Sequence, residues 1–338
     1  MVLYAIEDLD DAWVATREFL TPLSVERLLV LAVIVFFVGG TSTNFPGGGG
    51  GGAPAETDPG AEQGLDALWA FVVENALAIG LIGGTIVLLI LLFTLVGAVM
   101  EFVFVQSLRT DEVRFWGYSR SYLGEGLRLF GFRIALGTVG LLIAAVVLGF
   151  GLAAIGVGPL PEIGGAILVV LGLLAAVVFV LLTITNALTT TFVVPIMLVR
   201  ESGVLDGWRA FWPTLVGQWK QYLAYGIAAL ILNIALGIVF VLLLAIAAIG
   251  VLIPVGIVVA GIAFLAEPLL APVVIVFGVL FVGGLILVAL LVQVPMQTYL
   301  RYYALLILGD TNEALDPIPD VRASVRDTGE SLDGPEAI

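Results

Sequence analysis

The sequence contains no cysteine and no histidine, and Lys220 is its only lysine. Without cysteine there is no disulfide, no thiol nucleophile and no palmitoyl or prenyl anchor. Without either residue the usual metal sites and imidazole bases are gone as well. Positive charge is scarce, with 13 basic residues against 27 acidic ones and a net charge of −14. No basic patch can neutralise phosphates, so nucleic acid is disfavoured as a partner. Charged residues of both signs make up only 12% of the chain, against about a quarter in a globular protein. An acidic, lysine-poor surface points to adaptation to high salt, where carboxylates hold water and screening removes their repulsion. An acidic interaction tail is the competing reading.

What is present is apolar. Hydrophobic residues are 61% of the chain and the mean hydropathy is +1.17. Several runs exceed the roughly 20 residues that cross a hydrocarbon core, and the charge clusters fall between them. The expected fold is all-α: a polytopic membrane bundle of about six transmembrane helices with interfacial amphipathic helices. The spans are expected near residues 23–40, 74–105, 132–155, 163–199, 222–249 and 270–300. The first is the shortest, because only residues 28–38 are free of charge. Arg109, Arg114, Arg120, Arg128 and Arg133 make the densest positive cluster. The positive-inside rule sets that connection, and both termini, in the cytoplasm of a multi-pass cell-membrane protein.

The remaining segments are assigned around these spans. Residues 1–22 read as an amphipathic helix with Ile6, Leu9, Trp13 and Leu20 on its apolar face. The run Gly47–Gly52 has no preceding strand and no following Gly-Lys-Ser/Thr, so it is a linker and not a phosphate cradle. Residues 251–266 are apolar but short and bracketed by prolines. They are expected to re-enter or to lie against the outer face. Residues 309–338 form an acidic tail, expected to be disordered beyond Ser324.

Two connections share a plan. Laying Phe102 on Phe192 and Gly126 on Gly217 aligns the two units with one gap, as a parallel duplication of a helical hairpin. In the second, Leu205, Trp208, Trp212, Leu215 and Trp219 recur at spacings of three and four. That is one helical face, and Pro213 is expected to divide it into two short helices. Trp116 plays the same part in the first connection. These tryptophans are aromatic-belt anchors or, on the sharper reading, a docking face for a lipid headgroup or partner protein.

Polar residues inside apolar spans are costly and worth naming. Glu101, Arg133, Asn186, Thr189, Thr190, Asn233, Gln293 and Gln297 fall toward the cytoplasmic ends and are expected to form one layer. Glu101 and Arg133 are expected to pair, and Pro195 and Pro295 to kink their helices nearby. Interhelical hydrogen bonding and a solute path are the two readings of this layer.

The opening LYAIEDLDDAWVATREFL, its glycine-rich sequel and the closing RYYALLILGDTNEALDPIPDVRASVRD resemble an uncharacterised family of haloarchaeal multi-pass membrane proteins, a domain of unknown function. The stretch FVVPIMLVRESGVLDGWRAFW is more distantly similar to the membrane domain of some glycerophosphodiester phosphodiesterases. Their catalytic barrel has no counterpart here, so that activity does not carry over. The resemblances imply a haloarchaeal membrane setting. The resulting expectation is a non-enzymatic accessory or organising membrane component without cofactor or metal. Its partners are the lipid bilayer and another membrane or cytoplasmic protein, and a homo-oligomer is compatible. A transporter or channel for a small solute is the alternative.

Overall fold

Long runs of Leu, Ile, Val and Ala satisfy their backbone hydrogen bonds most fully as helix, and in lipid there is no other local solution. The computed structural model describes residues 4–21, 24–41, 70–154, 165–265 and 270–332, and these are helical without a strand among them. The elements are α1 (Tyr4–Leu20), α2 (Val25–Thr41), α3 (Ala76–Thr110), α4 (Phe115–Ser121), α5 (Leu123–Ala154) and α6 (Gly165–Leu188). A π-helical turn at Thr189–Val193 leads into α7 (Val194–Arg200), followed by α8 (Val204–Gly217), α9 (Trp219–Leu265) and α10 (Leu270–Thr311). A 3-10 turn at Glu313–Leu315 precedes α11 (Pro319–Leu332). The glycine run 47–52 and the connection at residues 155–164 lie outside the described residues.

Five helical stretches are long and apolar enough to cross a membrane: Ala76–Thr110, Leu123–Gly151, Ile167–Arg200, Trp219–Ile262 and Ala271–Thr311. This is compatible with a multi-pass membrane protein. Helix α2, expected as the first span, is not among them. Its 17 residues rise only about 26 Å, short of a hydrocarbon core of about 30 Å. Its buried residues Leu31, Ile34, Val35 and Val38 belong to a helix that packs on α3 and α10.

Three expectations are corrected. Residues 251–265 do not form a separate segment: α9 runs unbroken through Pro254 to Leu265. A single proline removes one donor, and the helix resumes because every neighbouring backbone group still needs an internal partner. For the same reason α8 continues through Pro213, and the chain turns at Gln218 instead. The tail is helical to Leu332, with Ile318 and Val325 buried and α11 packed on α1.

Burial is confined to one end of the long helices. There, α3 and α10 form a shared wall between two apolar clusters. On one side Phe19, Leu31, Ile34, Phe104, Tyr302 and Tyr303 join α1 and α2 to that wall. On the other, Phe102, Leu129, Phe192, Met197, Phe211 and Leu308 join α5, α7 and α8 to it. At the opposite end the apolar side chains point outward, and the most apolar stretches of α3, α5, α6 and α10 bury no residue at all.

The N-terminal helix packs with a different face from the expected one. Ile6 and Trp13 are exposed, while Asp8, Ala12, Ala15, Thr16 and Phe19 are buried. The alanines let α1 lie close along α10. Arg326 Nη2 lies 3.7 Å from the Oδ1 of the buried Asp8.

Candidate functional site

The centre of the packed end is a buried carboxylate. Glu101, on α3, is wholly shielded from solvent. Arg133 Nη2 of α5 donates to its Oε1 at 3.2 Å, and Arg301 Nη2 of α10 donates to its Oε2. An unpaired carboxylate here would cost several kcal/mol of desolvation, so the pairing holds three helices together.

The fourth member comes from the backbone. Val194 N–H bonds the carbonyl of Thr189, five residues back, in the π pattern. The next bond of that pattern would run from residue 195 to the Thr190 carbonyl, but Pro195 has no N–H to give. The Thr190 carbonyl is thus left over, and Arg301 Nη1 donates to it at 2.7 Å. Thr190 Oγ1 also accepts from Arg133 Nη2 at 3.0 Å. Thr189 is tied elsewhere: Trp208 Nε1 donates to its Oγ1 at 3.0 Å.

The structure therefore brings Glu101, Arg133 and Thr190 into one cluster and adds Arg301. Arg301 was not among the polar residues singled out in the sequence, because it stands at the end of its apolar run. Its signal was a charged residue one helical turn beyond Gln297. Asn186 is half-buried and stands apart from these hydrogen bonds. Asn233 donates to the Ala229 carbonyl at 2.7 Å. With Thr190, Thr191, Tyr225, Gln297 and Arg301 it lines a cavity of about 50 Å³. A second, of about 30 Å³, shares Asn233, Gln297 and Leu300 and reaches Gln293. Gln293 is only 5% exposed, yet its Oε1 accepts no hydrogen bond.

The four tryptophans divide. Trp208 is internal, bonded to Thr189 and edge-on to Phe211. Trp116, Trp212 and Trp219 are 74%, 58% and 56% exposed. Behind them an aromatic set fixes α8 and α9: Phe192 stacks on Phe211 at 5.3 Å and meets Tyr222 and Tyr225 edge-on at 5.1 Å each.

A second charged group joins the chain termini. Arg322 pairs with Asp310 at 2.9 Å and with Asp316 at 2.8 Å. Arg326 pairs with Asp310 at 2.5 Å and with Asp11 at 3.5 Å. Asp8 sits against this group, and neither of its oxygens accepts a hydrogen bond. Burial, then the neighbouring Asp310, push its carboxyl up to about 8, with Arg326 pulling the other way. Among the described residues no cluster of acids is arranged to hold a metal ion.

A family of unknown function, DUF7544, matches residues 3–318. That match carries neither the haloarchaeal setting nor the likeness to phosphodiesterase membrane domains. No curated protein and no solved structure matches the chain.

Proposed function

Given that the chain belongs to the DUF7544 family, whose function is unknown, we propose that it is a non-enzymatic integral membrane protein with an accessory or organising role. The observation that carries this reading is the fate of the polar layer. Glu101, Arg133, Thr190 and Arg301 are turned on one another across α3, α5, the π turn and α10. Groups used in this way hold a scaffold together and leave little to line a path. The exposed indoles of Trp116, Trp212 and Trp219 then supply a contact surface at the same end, beside the arginines that the positive-inside rule assigns to the cytoplasm. The packing of α1 on α11 supports an even number of crossings between these two helices. Counting α2 as a short sixth span with the five long ones satisfies this.

The test is cross-linking in cells of origin, followed by purification and identification of co-purifying proteins. A stoichiometric partner lost on Trp212→Ala with Trp219→Ala, with membrane insertion intact, is the expected outcome. Recovery of the protein alone would overturn the reading. A small-solute transporter is the second reading, favoured by the cavity beside Arg301. It requires solute flux in reconstituted vesicles that Asn233→Leu abolishes.

A further inference from the structure

The cavity beside Arg301 is walled by hydrogen-bond donors. Arg301 is only 8% exposed and brings a guanidinium to the wall. Its carboxylate partner, Glu101, is shared with the second guanidinium of Arg133. Arg301 therefore does not hold that carboxylate alone, in a setting where desolvated charge is expensive. Thr190 Oγ1 accepts from Arg133, which leaves its own hydrogen free to donate. Asn233 uses one amide hydrogen on Ala229 and keeps the other, and Gln297 adds a further amide on the same wall.

Size narrows the guest. A space of about 50 Å³ admits water-sized occupants and lies far below the roughly 300 Å³ or more of a metabolite pocket. A cation would face the Arg301 guanidinium. A monovalent anion would meet the donors that ordinarily bind one. The adjoining space of about 30 Å³ is lined in part by Gln293, whose buried Oε1 has no donor. A water lodged there would donate to Gln293 on one side and to an anion on the other.

We propose that this cavity is a binding site for a small monovalent anion of halide size, held by Arg301, Thr190, Asn233 and Gln297 with a water bridging to Gln293. The ion makes the packed end of the bundle depend on the identity of the anion as well as on ionic strength.

The test uses the purified full-length protein in detergent at fixed ionic strength, with gluconate progressively replaced by chloride or bromide. A saturable rise of the unfolding midpoint by several degrees is expected for both halides. After desalting from bromide, elemental analysis should find the ion retained in stoichiometric amount. Asn233→Leu and Gln297→Leu should abolish both effects while unfolding in gluconate near the wild-type midpoint. Arg301→Gln is a poor test, since it also strips Glu101 of a partner, and the bromide measurement on the wild type needs no variant. Equal midpoints in halide and gluconate, or a halide response that survives both substitutions, would overturn the site. Retention of a phospholipid that either substitution releases, with no halide response, would assign the cavity to a lipid headgroup and overturn the inorganic ion.

Discussion

The two connections at the packed end begin alike and finish differently. Their preceding helices end on acids in the left-handed conformation, Asp111 with φ 53° and Glu201 with φ 49°, at equivalent positions of the alignment that lays Phe102 on Phe192. Each region also presses a glycine against an earlier span. A Cβ on Gly126 would stand 2.5 Å from Val99 Cγ2, and one on Gly207 would stand 2.8 Å from Val193 Cγ1. Beyond this the paths part. Helix α4 buries none of its residues, whereas α8 buries Val204, Gly207, Phe211 and Thr214. The first unit supplies Glu101, where the second has Thr191. Instead the second offers the Thr190 carbonyl that Pro195 leaves without a partner. One guanidinium, Arg301, takes the carboxylate of one unit and the carbonyl of the other. The lesson is that two similar hairpins became unequal by serving the same side chain in different ways.

The largest break in this arrangement is Glu101→Gln, which leaves two guanidiniums sharing a neutral amide. A loss of about 3–5 kcal/mol is expected, measured by thermal unfolding in detergent. In a cycle with Arg301→Gln the double variant should lose clearly less than the sum of the single losses. Strict additivity would mean that the bridge contributes nothing.

Next come the glycines. Gly126→Ala must displace Val99 backbone as well as side chain, with its Cα only 3.0 Å from the new Cβ, and should cost about 1–3 kcal/mol. Gly207→Ala meets chiefly the side chains of Val193 and Met197 and should cost less. The reverse order would show that the second connection is the tighter one.

A smaller effect separates the tryptophans. Trp208→Phe removes the donor to Thr189 and should cost about 1 kcal/mol, while Trp116→Phe should leave the unfolding midpoint unchanged. Smaller still are the two caps. Glu201→Gly relieves a left-handed residue and should stabilise by a few tenths of a kcal/mol. Asp111→Gly should lose that gain, because it removes the carboxylate to which Arg27 Nη2 donates at 2.6 Å.

Changing pH should leave these contrasts untouched, because its target lies elsewhere. The Asp8 carboxyl is held up to about 8, so the folded protein keeps a proton that the unfolded chain releases from the ordinary carboxylate range upward. Its contribution is complete at acid pH and declines as pH rises through about 8. Unfolding of wild type and Asp8→Asn from pH 5 to 9 should show the wild type alone losing this contribution, while the order of the glycine variants holds at every pH.

Much of the long-range plan was legible in the sequence, because membrane-length helices announce themselves by composition and length alone. The pairing of Glu101 with Arg133 was legible for a similar reason: each is a lone charge in an apolar run. What escaped was decided by distant partners or by backbone. The inward face of α1 includes Asp8, whose neighbours Asp310 and Arg326 come from the far end of the sequence, so the apolar pattern of Ile6 and Trp13 pointed the wrong way. The acceptor of Arg301 is a main-chain carbonyl, exposed by the coincidence of a π turn and a proline, and a list of side chains does not contain it. Helix α9 runs on past Pro254 because one missing donor costs less than ending a helix where nothing else can satisfy its backbone.

The two bonds of Glu101 differ in how much chain they span: 32 positions separate it from Arg133 and 200 from Arg301. During synthesis the first guanidinium is therefore at hand almost as soon as the carboxylate has left the ribosome, while the second arrives only with the last long helix. Arg133 can escort Glu101 through insertion as a provisional counter-ion. The arrival of Arg301 then gives the carboxylate its second partner, and a chain truncated before it would leave Glu101 without that bond.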